Sequence, residues 1–180
     1  MNNTPKFNQT ARILHWLIAA LVLAQLFIGI GQVSTVSEMH TILLSLHIPL
    51  GIAILFLMVI RLLVRLFTTP PPLPNDLSRL QKFAATAVHW IFYGLLIGLP
   101  LIGWGMLSAE GLPIKLFGNT YLPHILPFDP GLYAILRTSH TYLAIFLFFL
   151  VMAHMAAALH HGLIRKDGVL SSMLWNKQRG

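Results

Sequence analysis

Nine histidines stand in a chain of 180 residues that has no cysteine, and five of them fall inside long apolar stretches: His15, His47, His89, His140 and His154. Burying an ionisable side chain in a membrane span costs free energy, so such residues are functional candidates. Fourteen residues separate His140 from His154, which on one helix is an axial distance of about 21 Å and an angular offset of about 40°. The two therefore share a helix face, one toward each end. The second stretch runs antiparallel to the first, so His47 near its start reaches the level of His140, and His15 near the start of the first reaches the level of His154. His89 opens the third stretch at the same depth as His15, and spacing alone leaves the two as competitors. Facing pairs of neutral imidazoles, without thiolate or carboxylate, suit the axial positions of a b-type haem. Iron–sulfur clusters, thiolate zinc sites and covalent haem attachment all need cysteine and are excluded. A zinc or copper site would gather three or four ligands together, whereas these lie in pairs about 21 Å apart.

A flat macrocycle needs space beside its ligands. His15, His47, His140 and His154 are each followed four residues later by Ala19, Gly51, Ala144 and Ala158, whereas the other five histidines are followed at that spacing by Leu44, Tyr93, Phe128, Ile164 and Arg165. Any one membrane histidine is more simply a packed residue bonded to a carbonyl, but four at two matched depths form a pattern. Proton relay remains open, although the spans contain no Asp or Glu to share it.

The elements that must position these side chains follow from composition. Hydrophobic residues make up 56% of the chain and charged residues 9%, against about 25% charged in a soluble domain. Four stretches, Ile13–Ile30, Ile42–Ile60, Phe83–Leu107 and Leu132–Leu159, are each long enough to cross about 30 Å of hydrocarbon. The expected fold is an all-α membrane protein, a bundle of four transmembrane helices at roughly 8–32, 40–67, 77–108 and 131–164, forming one domain over 1–180. The proline-rich Thr69–Asp76 cannot be helical, and Asp76 or Ser78 is placed to cap the third helix. The connection Ser108–Gly131 holds four prolines and is expected to lie as a lid on the membrane surface. The first stretch resembles a signal peptide in following Lys6 and Arg12, but its apolar run is long and no A-x-A site follows, which predicts a retained helix.

Ten of the twelve basic residues (Lys6, Arg12, Arg61, Arg65, Arg79, Lys82, Arg165, Lys166, Lys177 and Arg179) fall on one side of such a bundle, leaving Lys115 and Arg137 on the other. The positive-inside rule makes the first side cytoplasmic, with both termini there. The basic excess thus reports topology and anionic lipid and not nucleic acid, for which no basic soluble module exists. Arg61 and Arg65, one turn apart, are expected to anchor lipid phosphates.

Several segments carry a resemblance. Arg12-Ile-Leu-His15-Trp16, Leu46-His47-Ile-Pro-Leu-Gly51, Arg61-Leu-Leu-Val-Arg65, Ala87-Val-His89-Trp90, Leu99-Pro100-Leu-Ile-Gly103, Ser139-His140-Thr141 and Ala153-His154-Met-Ala-Ala-Ala-Leu-His160-His161 are similar to the bacterial cytochrome b561 family over roughly residues 8–170. The resemblance implies a four-helix protein of the bacterial inner membrane holding two non-covalent haem b groups. His15 and His154 would hold the inner haem and His47 and His140 the outer, with His89 packing or hydrogen-bonding near the inner one. Family members include superoxide oxidases, which pass electrons from superoxide to ubiquinone, and the same fold occurs in cytochrome b subunits of hydrogenases and formate dehydrogenases.

With both axial positions filled, such haems carry electrons singly and do not bind and split a substrate. The expected activity is oxidation of superoxide at the periplasmic face and reduction of ubiquinone within the membrane. Arg137 and Lys115 would attract the anion or meet haem propionates, and Arg12, Trp16, His160 and His161 would meet the quinone headgroup near the cytoplasmic surface. Membrane lipid, quinone and superoxide are then the partners, with no obligate protein partner. The rivals are an electron-transfer subunit serving a separate dehydrogenase or hydrogenase, disfavoured by the short connections, and a non-redox transporter or assembly factor with packed histidines.

Overall fold

The computed structural model describes residues 6–175; Lys177 and Arg179 lie outside the described residues, as do the first five positions of the expected domain. Four helices form, α1 (Gln9–Ser34), α2 (Glu38–Phe67), α3 (Arg79–Glu110) and α4 (Pro130–Leu159). Each is long and apolar enough to cross a membrane, α4 together with the turn that prolongs it to Arg165. The bounds follow local chemistry. Asn8, Ser37, Ser78 and Asp129 accept backbone N–H groups at the four N-termini, filling bonds that a helix start leaves open. Of the two candidates for α3, Ser78 is the cap, in a reciprocal box with Gln81, and the Asp76 carboxylate instead pairs with Arg165. Pro49 and Pro100 lie inside α2 and α3; membrane helices tolerate such breaks where packed neighbours satisfy the freed groups.

The helices are not equally spaced. α1 packs along α2, α3 along α4, and α2 against α3, whereas α4 stands off from both α1 and α2. A gap therefore runs between α4 and the α1–α2 pair. At mid-height the bundle is closed by a layer of aliphatic side chains, with Ile18 and Val22 of α1, Ile54 and Met58 of α2, Leu96 and Leu99 of α3 and Leu147 and Val151 of α4 all buried. Much of the remaining apolar surface points outward, including Phe27, Phe56 and Phe149 at 70%, 67% and 64% exposure, the pattern of helices solvated by lipid.

Phe7 donates its N–H to the Ser172 carbonyl, so both ends of the described chain meet at one end of the bundle, here the terminal end. The opposite, lid end carries a feature that the sequence did not predict. Ile114–Phe117 (β1) and Thr120–Leu122 (β2) pair as an antiparallel hairpin with a bulge between Lys115 and Phe117, lying against α2. The hairpin turn places Gly118 at φ 52°, a left-handed position that suits glycine. The lid is fastened to α3 by Trp104 Nε1 to the Pro123 carbonyl and by the Ile125 N–H to the fully buried Ser108 Oγ.

Candidate functional site

The gap between α4 and the α1–α2 pair holds the histidines. His15 of α1 faces His154 of α4 with ring centres 6.3 Å apart, and His47 of α2 faces His140 of α4 at the same 6.3 Å. An iron bonded at about 2 Å to one nitrogen of each ring, each nitrogen about 1.1 Å from its ring centre, needs centres about 6.2 Å apart. Both pairs have that spacing, and the aliphatic layer separates them. His89 also approaches His154, at 5.8 Å. It stands on α3, however, which is packed directly along α4, so no porphyrin-wide gap opens between those two rings. Its Nδ1 is 2.6 Å from the Ala85 carbonyl one turn back, and Phe92 covers His154 from the same helix at 5.3 Å.

At the lid-end pair, close packing and unmet polarity coincide. A Cβ on Gly103 of α3 would stand 3.3 Å from His140 Cε1, and one on Gly29 of α1 would stand 3.7 Å from His47 Cε1. Glycine at both places leaves the imidazoles flanked by bare backbone. His47 Nδ1 and Gln25 Oε1 are buried without a hydrogen-bond partner among the described residues, whereas the His140 ring lies within reach of the Leu99 carbonyl. Buried polar atoms are rarely left so, and two of them around one gap fit a group that binds there. Gln25 Nε2 donates to the His47 carbonyl at 3.0 Å and lies 3.3 Å from a Cβ at Gly51, so the space beside Gly51 is taken by an amide. The residues present fit b-type haem. Each of the two histidine pairs would hold one such group, and its chemistry would be one-electron transfer.

At the terminal-end pair the surroundings are charged. Arg61 Nη1 donates to the Ala11 carbonyl at 2.9 Å and Nη2 stands 3.4 Å from His15 Nδ1. The expectation of a lipid-phosphate anchor is therefore corrected for Arg61, because its guanidinium turns into the bundle. Trp16 lies edge-on to His15 at 5.4 Å.

The residues expected to meet a quinone share this end but are engaged by the chain's own C-terminal segment. α4 runs into a π-helical turn, His160–Arg165, of the wide type found at functional sites. Lys166 at φ 52° and Gly168 at φ 88° then reverse the chain. It returns over α1, where Arg12 Nη1 donates to the Leu174 carbonyl and Trp16 Nε1 to the Met173 carbonyl, each at 3.0 Å. His160 and His161 lie ring to ring at 5.8 Å, and His161 Nδ1 is 2.6 Å from Asp167. An open cleft of about 510 Å³ lies beside them, lined by His161, Lys166, Asp167 and Ser171.

Asp167 holds this fold-back together. Burial alone would raise its carboxyl, but bonds from His161, the Val169 N–H and Arg165 outweigh that and hold it below the ordinary carboxylate range. A depressed carboxyl contributes stability that is present above its unfolded value and lost as pH falls through the folded one. The segment 167–175 is thus expected to stay docked at neutral pH and to loosen below about pH 4. Hydrogen exchange of its amides measures this, with Asp167→Asn showing the same loosening already at pH 7; wild-type protection in that variant at pH 7 would sink the assignment.

At the lid end, Arg137 and Lys115 are exposed. Arg137 is steadied over the Tyr133 ring at 5.9 Å, with Nη1 3.2 Å from its hydroxyl. Glu38, Glu110 and Asp129 stand at this end as well, so any attraction for an anion is local to the two cations.

A family model for prokaryotic cytochrome b561 matches residues 6–176. The chain belongs to the prokaryotic cytochrome b561 family. It is similar to the probable superoxide oxidase CybB of Yersinia pestis, 36% identical over 136 residues that cover 75% of this chain and 76% of that one. It is also similar to two Escherichia coli K12 proteins. Cytochrome b561 homolog 2 is 33% identical over 177 residues, 96% of this chain and 93% of that protein, and cytochrome b561 homolog 1 is 27% identical over 172 residues, 94% and 97%. The chain is thus an oxidoreductase-type membrane electron-transfer protein with b-type haem as its family cofactor.

Some residues placed at the site of this cytochrome b561 were not among the sequence candidates. Gln25 and Arg61 are polar positions inside apolar spans, a signal that the histidines overshadowed. Gly29 and Gly103 carried none, since which helix backs a ligand ring is a tertiary fact. Asp167 sits in Lys166-Asp167-Gly168, a readable turn, but its reach to His161 depends on the π turn before it.

Proposed function

We propose that this cytochrome oxidises superoxide at its lid end, facing the periplasm, and reduces ubiquinone near its terminal end, through two haem b groups stacked along the bundle. The carrying observation is that two histidine pairs span the same gap with the same 6.3 Å spacing on either side of a dry aliphatic layer. His47 and His140 would hold the outer iron, His15 and His154 the inner, within one membrane domain over 1–180. Eight of the ten described basic residues lie at the terminal end, which supports placing both termini in the cytoplasm of a bacterium.

Two superoxide anions lose one electron each and become dioxygen, while one quinone gains two electrons and two protons and becomes quinol. Arg137, three residues before His140, and Lys115 on the hairpin draw the anion toward the lid end and screen its charge. Ile54, Met58, Leu147 and Val151 exclude water from the path between the pairs, so no proton accompanies the electron there. At the other end Arg12, whose Nε has no hydrogen-bond partner among the described residues, supplies a donor for a quinone carbonyl beside Trp16, and His161, with His160 next to it, lines the cleft where protons enter. The relative named as a probable superoxide oxidase supports this choice of donor.

Pulses of superoxide applied to the oxidised, haem-loaded protein are expected to reduce its haems at least ten times faster than they reduce the Arg137→Glu, Lys115→Glu double variant, with added ubiquinone reoxidising them. Haems that stay oxidised under superoxide but are reduced by a membrane dehydrogenase would assign the protein as an electron-transfer subunit instead. A well-folded preparation without any b-type spectrum would end the redox reading.

A further inference from the structure

Arg61 stands six residues inside the C-terminal end of α2, at the depth where His15 stands six residues inside the start of α1. Its guanidinium holds the Ala11 carbonyl at 2.9 Å and reaches to 3.4 Å from His15 Nδ1. A small cavity of about 30 Å³ beside it, lined also by Phe7, Ala11, Val64, Arg65 and the buried Tyr93, has room for a water molecule. Among the described residues no carboxylate pairs with Arg61, so its charge is not cancelled nearby. An iron-bound neutral imidazole keeps its proton on the second nitrogen, which usually donates to a carboxylate or carbonyl, so Arg61 meets this ring as a charge and not as a hydrogen-bond partner. Guanidinium only donates. The lid-end pair has no counterpart, because Arg137 lies outside and turns to Tyr133.

We propose that Arg61 is a positioning residue that makes the haem between His15 and His154 the more easily reduced of the two, so that an electron entering at the lid end comes to rest beside the quinone region. This rests on the reading of His15 and His154 as one ligand pair. Reduction removes one positive charge from the iron, and a fixed cation within a few ångströms in a low-dielectric setting favours that change. Charge and hydrogen bonding around the ligand are among the ways a protein sets a haem potential. The bond to Ala11 fixes the guanidinium to α1 itself, so the cation keeps its distance from the ring it acts on.

Spectro-electrochemical titration of the haem-loaded protein tests this, with haem content measured alongside. Arg61→Met is expected to keep two haems and shift the reduction equilibrium of one of them at least tenfold toward the oxidised form, about 59 mV for a one-electron couple. Arg61→Lys should retain most of the wild-type value, and Arg65→Met, one turn farther from His15, should shift it less than threefold. Unchanged or raised midpoints in Arg61→Met overturn the proposal. Should that variant fail to keep its haems, single-haem proteins decide. The haem retained by His140→Ala must titrate above the haem retained by His154→Ala, and the reverse order overturns the proposal. If those two variants each still hold two haems, the ligand reading has failed and not the role of Arg61.

Discussion

Replacing His140 with alanine is expected to yield a folded protein with one haem in place of two, its pyridine haemochromogen absorbance per protein about half that of wild type. The same halving is expected for His15→Ala, His47→Ala and His154→Ala, while His89→Ala should keep both. Distance alone does not separate His15 from His89, which lie 6.3 Å and 5.8 Å from His154. Helix spacing does. His15, like His47 and His140, looks across the gap from which α4 stands off, whereas His89 looks from α3, which fills its own contact with α4. The His47–His140 pair has no third ring competing for it and has the same 6.3 Å spacing as His15–His154. A bis-imidazole centre that loses one ligand keeps at best a five-coordinate iron, so the remaining haem should show an unaltered low-spin spectrum while the affected one is lost or becomes high-spin. If His89→Ala gave one haem and His15→Ala two, the inner ligand would be His89, and the electrostatic role of Arg61 would fall with that change.

The spans and the depth of each histidine were legible because both depend on counting along one helix. The 14 residues from His140 to His154, the apolar runs, and the cap at Ser78, one of the two offered for the third helix, are local facts with fixed geometry. What was not legible is how one element backs another. Alanine or glycine one turn after His15, His47, His140 and His154 suggested where a macrocycle lies, yet the space next to Gly51 belongs to Gln25. Arg61 read as an anchor because it stands near a helix end beside Arg65, and a sequence does not say which way a long side chain leaves the helix. The lid's four prolines suggested a surface connection and no particular strand, whereas Ile114–Leu122 forms a hairpin: its prolines, 113 and 123, flank the strands and leave the ladder intact. The return of residues 167–175 over α1 is the largest omission, since it turns on Lys166 entering the left-handed region after a π turn.

Gly103→Val is expected to remove the lid-end haem nearly as completely as loss of a ligand, lowering its affinity by at least the 10–100-fold that disturbing a metal site's outer shell causes. A Cβ at that position would lie 3.3 Å from His140 Cε1 and 3.6 Å from Nδ1, tighter than ordinary contact, and the two further methyl groups of valine have to go somewhere. One direction is the ring, which then tilts off the axis on which it faces His47; the other is the gap that the macrocycle needs. The helix itself gains, because a β-carbon restricts the unfolded chain and glycine is a poor helix residue. Gly98 supplies the control on the same helix, since a Cβ there meets nothing within 4 Å, and Gly98→Ala should keep both haems. The terminal-end haem, beyond the aliphatic layer, should be retained in both variants. Gly103→Val should therefore bind one haem, stay folded, and fail to be reduced by superoxide at the wild-type rate although its inner haem remains. Two haems with unaltered spectra in Gly103→Val would mean that His140 leaves this position on binding, and that the glycine serves helix packing alone.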